Sequence, residues 1–364
     1  MKTLLLNPGP VTLSNRVRQS LLRPDLCHRE AEFSELQSGI RKNLVAVYQL
    51  PADEWAAVLL TGSGTAAVEA MLTSIVPDDG HILIIENGVY GERMTKMASV
   101  HQIRHTTLHH EWGKAIDLAA LEKMLGQHNF SHVALVHHET TTGRLNDLES
   151  VGSLCKQANV PVLLDGVSSF GAESLKFDEW NIAACAATAN KCLHGVPGIS
   201  FVIVRREQLD TGKRQPRTVY LDLGHYLQQQ DAGSTPFTQS VQCLYALDEA
   251  LHELQDEGGQ HVRQQQYWHL MKIIREGMIR NGITALLDES ECSCVLQAYN
   301  LPKNITYGEL HDQLKAAGFI IYAGQGDFAK NIFRVSAMGD ITENDMERFV
   351  SSIGKITKNR NAGF

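Results

Sequence analysis

Short apolar runs alternate with amphipathic stretches along most of the chain. Runs with the uninterrupted apolar character of buried strands are AAVLLTG, HILIIEN, HVALVHHE, VPVLLDG, CAATAN and SFVIVRR. Between them, TAAVEAMLTSIV, GERMTKMASV and DLESVGSLCKQAN have helical periodicity. Because strand–helix alternation produces parallel strands with helices on both faces, the pattern predicts an α/β fold with a mostly parallel sheet.

The pattern changes towards the C-terminus. SVQCLYALDEALHELQDEGG predicts a long amphipathic helix ending at a glycine pair that suits a C-cap and a hinge. Another helix follows, and after it come CSCVLQAYN, a helix around Leu310, GFIIYAG, IFRVSAM and a last helix. We therefore predict a large domain over 1–257 and a small α+β domain over 258–364. Segment 1–15 is expected to pack against the small domain or a partner subunit.

Composition excludes several classes of function. The 364-residue chain is 43% hydrophobic and 20% charged, which is ordinary for a globular protein. A formal net charge of −8 argues against nucleic-acid binding, which requires clustered lysine and arginine. The seven cysteines are scattered without a C-x-x-C pair, which argues against disulfides and a zinc site. No run is long enough for a signal peptide or a membrane span, so we expect a cytoplasmic protein.

A turn of small residues, Gly62 to Thr65, joins a predicted strand to a predicted helix. Small residues let backbone N–H groups approach an anion, and the helix N-terminus adds positive potential. The turn suits a single phosphate, and it matches neither the P-loop nor the dinucleotide-binding motif. The alternative is an ordinary tight turn in which Thr65 caps the helix.

Further polar or aromatic groups follow other predicted strands. Tyr90, between two glycines, either stacks on a planar ligand or simply packs. Thr140 to Thr142 follow another strand, and Asp165 ends a third. The Asp165 carboxylate either bonds a ring nitrogen or caps the next turn. Adjacent His137 and His138 point to opposite faces of a strand, so no metal site is predicted.

Lys191 lies between two apolar runs in ATANKCLHGVPGISFVIV. Lysine is rarely enclosed unless it is paired or uncharged. Pyridoxal phosphate requires a phosphate-binding turn, an aromatic ring to stack on, a carboxylate and an enclosed lysine. The sequence places a candidate for each of these groups at successive strand ends. Desolvation lowers the pKa of a lysine and frees its amine as nucleophile and proton shuttle, which accounts for the enclosure.

The chain resembles the class V aminotransferases of fold-type I over nearly its whole length. The motifs that carry the resemblance are NPGP, GSGT, NGVYGER, ETTTG, LLDGVSSFG and NKCLHGVPG. It implies a large domain with a mostly parallel seven-stranded sheet, a small C-terminal domain, and dependence on pyridoxal phosphate. ETTTG, SSFG, ANKCLHGVPG and GFIIYAG are especially similar to the transaminases that convert 2-aminoethylphosphonate and pyruvate into phosphonoacetaldehyde and alanine.

The resemblance implies partners for the cofactor phosphate. Ser63, Gly64 and Thr65 should hold it through backbone amides and hydroxyls, with Asn190 beside it. Thr238 matches a threonine that reaches the phosphate from the neighbouring subunit. Such sharing implies a homodimer.

The same resemblance implies roles around the ring. Tyr90 and Val167 should pack on its two faces, and Thr140 should form a hydrogen bond with its phenolic oxygen or with a group beside that oxygen. Asp165 should keep the ring nitrogen protonated, and Lys191 should be the Schiff-base lysine and the proton shuttle.

Arg334 is the expected substrate anchor. An arginine among apolar strand residues needs an anion, which is either the substrate or a carboxylate of the same domain. In the resembled family it binds the acidic group of the substrate, phosphonate in one half of a ping-pong reaction and carboxylate in the other. The segment 323–331 is longer than the family pattern, which leaves its role and the direction of the reaction open.

Three alternatives remain open. The nearest is a transaminase acting on alanine, serine or glyoxylate. A cysteine-desulfurase-like lyase would need Cys292 or Cys294 as a mobile nucleophile, although both lie in a strand-like run. A non-catalytic cofactor-binding module would lack an anchor such as Arg334.

Overall fold

The structure is a computed structural model that describes residues 3–209 and 215–361, with the backbone alone for 359–361. The first and last residues of the two predicted domains, 1–2 and 362–364, therefore lie outside the described residues. The α-helices are α1 (Asn15–Ser20), α2 (Ala31–Ala46), α3 (Gly64–Ile75), α4 (Val89–Val100), α5 (Leu118–Gln127), α6 (Leu148–Gln157), α7 (Leu223–Asp231), α8 (Val241–Asp256), α9 (Gln260–Arg280), α10 (Tyr307–Ala316) and α11 (Glu343–Asn361).

The strands fall into one large sheet and several small ones. They are β1 (Leu4–Leu5), β2 (Trp55–Gly62), β3 (His81–Glu86), β4 (Arg104–His109), β5 (His132–Val136), β6 (His138–Glu139), β7 (Arg144–Leu145), β8 (Val162–Asp165), β9 (Ile182–Thr188), β10 (Gly198–Arg205), β11 (Leu296–Asn300), β12 (Phe319–Ile320), β13 (Tyr322–Ala323) and β14 (Ile332–Ser336).

The large sheet has seven strands in the order β2-β10-β9-β8-β5-β3-β4. Within it, β10 runs antiparallel to both its neighbours and the other pairs are parallel. The predicted mostly parallel, seven-stranded sheet is thereby confirmed. Because β2 and β9 both oppose β10, every strand of this sheet except β10 has its carboxyl end at the same edge.

Strand β4 is absent from the strands that the apolar pattern predicts. Its sequence, RHTTLH, is polar, and its residues are partly or fully exposed at the border of the sheet. The central strand β5, HVALV, is buried at every position. Apolar runs therefore identify the strands covered on both faces and overlook an edge strand that solvent reaches.

Helices cover both faces of the large sheet. On one face α3, α4 and α7 form an apolar core with the sheet that includes Met71, Met94 and Tyr226. On the other face α2, α5, α6 and α8 form a second core that includes Phe33 and Leu247. This layering leaves the carboxyl edge of the sheet as the open edge, which is where ligands bind in folds of this kind.

The C-terminal part has its own core around α9, α10, α11 and a three-stranded sheet in the order β11-β14-β13. Strand β1 pairs in parallel with β12 and contributes Leu4 to this core. The segment GFIIYAG contains both β12 and β13, which pair with different strands. The division into domains at residue 258 stays a prediction. Among the described helices none is both long and apolar enough to cross a membrane.

Candidate active site

The carboxyl edge of the large sheet brings the predicted site residues together. Ser63 follows β2, Tyr90 follows β3, Thr140 follows β5 and the short strand β6, and Lys191 follows β9. Asp165 is the last residue of β8. The order of the strands therefore collects groups that are far apart in the sequence.

The turn after β2 leads directly into the N-terminus of α3. Ser63 is the exposed N-cap residue, and its side chain forms no capping hydrogen bond. The amides of Ala66 and Ala67 donate to the Ser63 carbonyl at 2.9 and 3.4 Å. Gly64 and Thr65 come before the first residue whose N–H donates within the helix, so their own N–H groups have no acceptor inside it. The alternative with Thr65 as N-cap is wrong, and the free amides suit an anion.

A close contact joins this turn to the segment after β8. A Cβ at Gly64 would lie 2.8 Å from Val167 Cγ1, so only glycine allows the two segments to approach in this way. Val167 is half-buried beside the turn. The Thr188 hydroxyl donates to Asn190 Oδ1 at 2.8 Å, which directs the amide of Asn190.

A small cavity lies between Tyr90 and Val167. Its lining also includes Thr65, Asp165 and Arg93. Arg93 donates to the Thr65 hydroxyl at 3.3 Å, and its guanidinium lies 4.6 Å from the centre of the Tyr90 ring. Arg93 is not among the predicted site residues, although its place one helical turn after Tyr90 in NGVYGER is a signal by which it could be found.

Asp165 is 6% exposed, and one of its carboxylate oxygens accepts a hydrogen bond from the Val167 N–H at 3.0 Å. Burial raises the pKa of Asp165 to about 6, while that hydrogen bond and the positive charges of Arg93 and Lys191 oppose the rise. The local turn contact proposed as an alternative is thus present. This hydrogen bond occupies Asp165 Oδ1, so Oδ2 remains for a ligand in the cavity that Asp165 lines.

Lys191 is half-buried, and its Nζ donates to the carbonyl of Pro8 in the N-terminal segment. The pKa of Lys191 is lowered to about 8, mainly by burial and in smaller part by the positive charges of Arg334 and Arg93, while Cys192 and Asp165 oppose the shift. An amine with this pKa is partly neutral near pH 7 to 8, so it can act as a nucleophile.

Thr140 connects the carboxyl edge of the sheet to the C-terminal part of the chain. Its hydroxyl is buried and has no hydrogen-bond partner in the described protein, and its carbonyl accepts from Arg334 Nη1 at 2.9 Å. A buried hydroxyl without a partner is costly unless a ligand supplies one. Together with the free amides of α3, the Asp165 carboxylate and the Lys191 amine, it fits the phosphate, ring and aldehyde of pyridoxal phosphate.

Arg334 lies in β14 and is 3% exposed. Its Nε donates to the Ala323 carbonyl at 2.8 Å, and its Nη1 lies 3.5 Å from Gln325 Oε1. All its acceptors are neutral oxygens, so within the described residues the alternative of an ion pair is not realised. Burial lowers the pKa of Arg334 because it desolvates the charged guanidinium, and the negative charge of Glu139 is among the groups that oppose the shift. The segment 323–331 holds this side chain in place.

Thr238 does not line the cavity of its own chain. Its side chain is exposed, while its neighbour Gln239 accepts a hydrogen bond from the Thr61 hydroxyl at 3.1 Å. The segment is therefore anchored beside the end of β2. The role of Thr238 across a subunit boundary stays a prediction.

Cys292 and Cys294 are buried thiols. Burial raises the pKa of Cys292 and raises that of Cys294 well above its ordinary value. The Cys292 thiol donates to the Asp288 carbonyl at 3.2 Å. Because the thiolate is the nucleophile, neither side chain suits the desulfurase-like alternative.

Comparisons with known proteins agree with this arrangement. Residues 16–325 match the family described as Aminotransferase class-V. A 2-aminoethylphosphonate–pyruvate transaminase of Bacillus cereus is 34% identical over 356 residues, which cover 97% of each chain. The structure of an alanine–glyoxylate aminotransferase of Nostoc sp. superposes with a TM-score of 0.91 at 25% identity, covering 98% of this chain and 95% of that one. A phosphoserine aminotransferase of Trichomonas vaginalis, solved with pyridoxal phosphate bound, has a TM-score of 0.80 at 13% identity, covering 97% and 99%.

The fold, the donor groups at the sheet edge and the family match define a fold-type I transferase that uses pyridoxal phosphate. The family match and the similarity to the Bacillus cereus protein identify the family within the fold-type I transferases. The chain belongs to the class V aminotransferases.

Proposed function

We propose that the protein transfers the amino group of 2-aminoethylphosphonate to pyruvate, giving phosphonoacetaldehyde and alanine. The observation that carries this choice of substrates is the 34% identity, over 97% of both chains, to transaminases named for this pair. The buried guanidinium of Arg334, which forms no ion pair within the described residues, supports an acidic substrate.

Pyridoxal phosphate, when bound, supplies an electron-withdrawing ring that stabilises negative charge on the carbon next to the amino group. The residues that would hold it are Ser63, Gly64, Thr65 and Asn190 at the phosphate, Tyr90, Val167 and Thr140 at the ring, Asp165 at the ring nitrogen, and Thr238 of the partner subunit. The free amides of α3 and the unpartnered Thr140 hydroxyl support this assignment.

Lys191 and Asp165 would carry the proton chemistry. The amine of Lys191 would hold the cofactor covalently at rest and, once displaced by a donor, move a proton from the reacting carbon at its Nζ. Its lowered pKa, about 8, makes the neutral amine accessible near physiological pH. The Asp165 carboxylate would keep a proton on the ring nitrogen, and this contact with a cation would in turn keep Asp165 ionised.

The shape of the donor favours the phosphonate. The reacting carbon of 2-aminoethylphosphonate is an unsubstituted CH₂, and the phosphonate lies one carbon further away. If Arg334 is placed to bind an acidic group one carbon away from the reacting carbon, the site still has room for small pyruvate or alanine. Bulky α-amino acids would crowd the ring and should react with a lower kcat/KM. A doubly charged phosphonate also gains more than a carboxylate from a desolvated guanidinium.

A second candidate is an alanine–glyoxylate or serine–pyruvate transaminase. The structural similarity to the Nostoc alanine–glyoxylate enzyme, with a TM-score of 0.91 at 25% identity, favours it. Both candidates would use the same cofactor residues, and they differ in the amino donor, whose acidic group is either a phosphonate one carbon away from the reacting carbon or a carboxylate directly on it.

A screen of amino donors separates the candidates. Each donor is mixed with the holoenzyme, and loss of the visible absorbance of the bound cofactor is followed, before kcat/KM is measured for complete pairs. We expect 2-aminoethylphosphonate with pyruvate to be the best pair. A higher kcat/KM for alanine–glyoxylate or serine–pyruvate would replace the proposal with the second candidate.

The proposal includes a homodimer and a cytoplasmic location. The exposed Thr238, anchored beside β2 through Gln239, supports a contact with a second copy of the chain. All seven cysteines are free thiols, which supports a reducing compartment.

A further inference from the structure

Glu139 is a buried carboxylate to which the proposed function gives no role. It is fully buried at the end of β6, directly before Thr140. Its Oε2 accepts from the N–H groups of Tyr90 and Gly91 at 3.2 and 3.4 Å. Its Oε1 accepts from the hydroxyl and the N–H of Thr141 at 2.6 and 3.3 Å. The carboxylate therefore joins the strand edge to the first turn of α4.

These donors are the free N–H groups at the start of a helix. Tyr90 and Gly91 belong to the first turn of α4, and the remaining amide of that turn, from Val89, donates to the Thr141 hydroxyl at 3.2 Å. The N-cap residue, Gly88, has no side chain to supply these bonds. Glu139, distant in sequence, takes the place of an N-cap side chain and adds a negative charge at the positive end of the helix.

Gly88 makes this arrangement possible. A Cβ at position 88 would lie 2.3 Å from Glu139 Cδ, so a local cap and the distant carboxylate exclude one another. The backbone of Gly88 is extended, with φ 177° and ψ 179°, which any residue can adopt. The glycine is thus required by the neighbouring carboxylate rather than by its own conformation.

The segment that Glu139 anchors reaches the other side of the site. Thr140 stands between Glu139 and Thr141, and its carbonyl accepts from Arg334. The Glu139 contacts consequently set the position of Tyr90 relative to Thr140, and that of Thr140 relative to Arg334. Burial raises the pKa of Glu139 to about 7, while the hydrogen bonds from Thr141 and Gly91 oppose the rise.

We propose that Glu139 is a positioning residue: it caps α4 from a different strand and so fixes Tyr90, Thr140 and Arg334 in one arrangement for cofactor and substrate. The inference rests on the proposed function only for the roles of these residues toward the cofactor. It does not depend on which amino donor is the substrate.

The first test compares two buried carboxylates. Glu139→Gln keeps the shape of the side chain but places an NH₂ group where oxygen accepts hydrogen bonds. Glu173→Gln is the matched control, because Glu173 is 2% exposed and accepts from Ser293, Cys294 and Gln264, away from α4. We expect the dissociation constant of pyridoxal phosphate to rise about tenfold in Glu139→Gln, with a changed visible circular dichroism of the bound cofactor. Glu173→Gln should lower the unfolding temperature and leave both cofactor readouts within about twofold.

The second test uses compensation, so that it remains informative if one variant is unstable. Gly88→Ser should collide with Glu139, and Glu139→Ala should leave α4 without a cap. In the double variant the introduced serine occupies the space of the missing carboxylate and supplies an ordinary N-cap. We expect this double variant to bind pyridoxal phosphate more tightly than either single variant, a positive coupling in a double-mutant cycle.

The proposal is overturned if Glu139→Gln binds the cofactor as tightly as the unchanged protein, or if it loses no more affinity than Glu173→Gln. It is equally overturned if the double variant binds pyridoxal phosphate no more tightly than the better of the two single variants. All these measurements are made without an amino donor. A failure of the donor screen would therefore leave this result standing, and the reverse also holds.

Discussion

Arg334→Lys tests whether the buried guanidinium is the partner of the substrate's acidic group. Arg334 is held by the carbonyls of Ala323 and Thr140 at 2.8 and 2.9 Å, which use its Nε and Nη1. Among the described residues no acceptor is assigned to Nη2, which therefore remains for a ligand. A lysine keeps the positive charge but cannot bond both carbonyls and an anion in the same geometry.

The magnitude follows from the bonds at stake. A hydrogen bond to a charged group contributes about 1.5–3 kcal/mol, and Nη2 is the nitrogen of Arg334 that remains to donate to an anion. Loss of that donation, together with the disturbed carbonyl contacts, should cost about 3 kcal/mol of transition-state stabilisation, or roughly a hundredfold in kcat/KM. Arg334→Ala should lose more, because it also leaves the Thr140 carbonyl without its donor.

The assay is the single-turnover loss of visible absorbance with three donors: 2-aminoethylphosphonate, alanine and ethylamine, which lacks an acidic group. We expect Arg334→Lys to damage the first two and to leave ethylamine within about threefold. Arg144→Lys is the matched control, because Arg144 is 6% exposed but pairs with Glu291 of its own chain. If ethylamine lost as much as 2-aminoethylphosphonate, Arg334 would act on the fold rather than on the anion, and the reasoning would fail.

Four further predictions concern Lys191, Asp165 and Thr238. Lys191→Ala should abolish the visible absorbance of the bound cofactor and multiple turnover; near-normal turnover would contradict its role. Asp165→Asn should lower turnover by roughly 10²-fold or more and Asp165→Glu by less, whereas unchanged turnover would make the carboxylate structural. The pKa of Lys191 is lowered to about 8, and only the neutral amine is a nucleophile. The rate at which the ligand-free protein binds pyridoxal phosphate covalently should therefore rise about tenfold per pH unit below pH 8 and level off above it. Stopped-flow measurements that found no pH dependence would refute this. Co-expression of Lys191→Ala with an impaired Thr238→Ala should restore activity above either homodimer, since one site then carries neither change; confirmed heterodimers without restoration would place Thr238 in its own subunit's site.

Much of the fold is predictable because the local run of apolar residues is enough to identify a buried parallel strand. A strand covered on both faces, such as β5, is apolar after its first residue, whereas the edge strand β4 is mostly polar and is overlooked. The segment GFIIYAG has the composition of a strand, but its division into β12 and β13 depends on two separate partners. Composition sets the tendency to form a strand, and pairing decides where it begins and ends.

The candidate site divides in the same way. Groups that directly follow a strand, such as Tyr90, Asp165 and Lys191, are predictable because parallel strands end at one edge of a sheet. The sequence by itself thus determined the class of fold and the cofactor, and it predicted several of the groups that the structure brings to the carboxyl edge of the sheet.

Only the tertiary structure decided the contacts between distant segments. Glu139 meets the amide of Tyr90 across 49 residues, and Arg334 meets the carbonyl of Thr140 across 194. Neither contact leaves a local pattern, because hydrogen bonding between segments depends on how strands and helices pack. The same packing excludes water from Lys191, and that desolvation, rather than the sequence around the lysine, lowers its pKa.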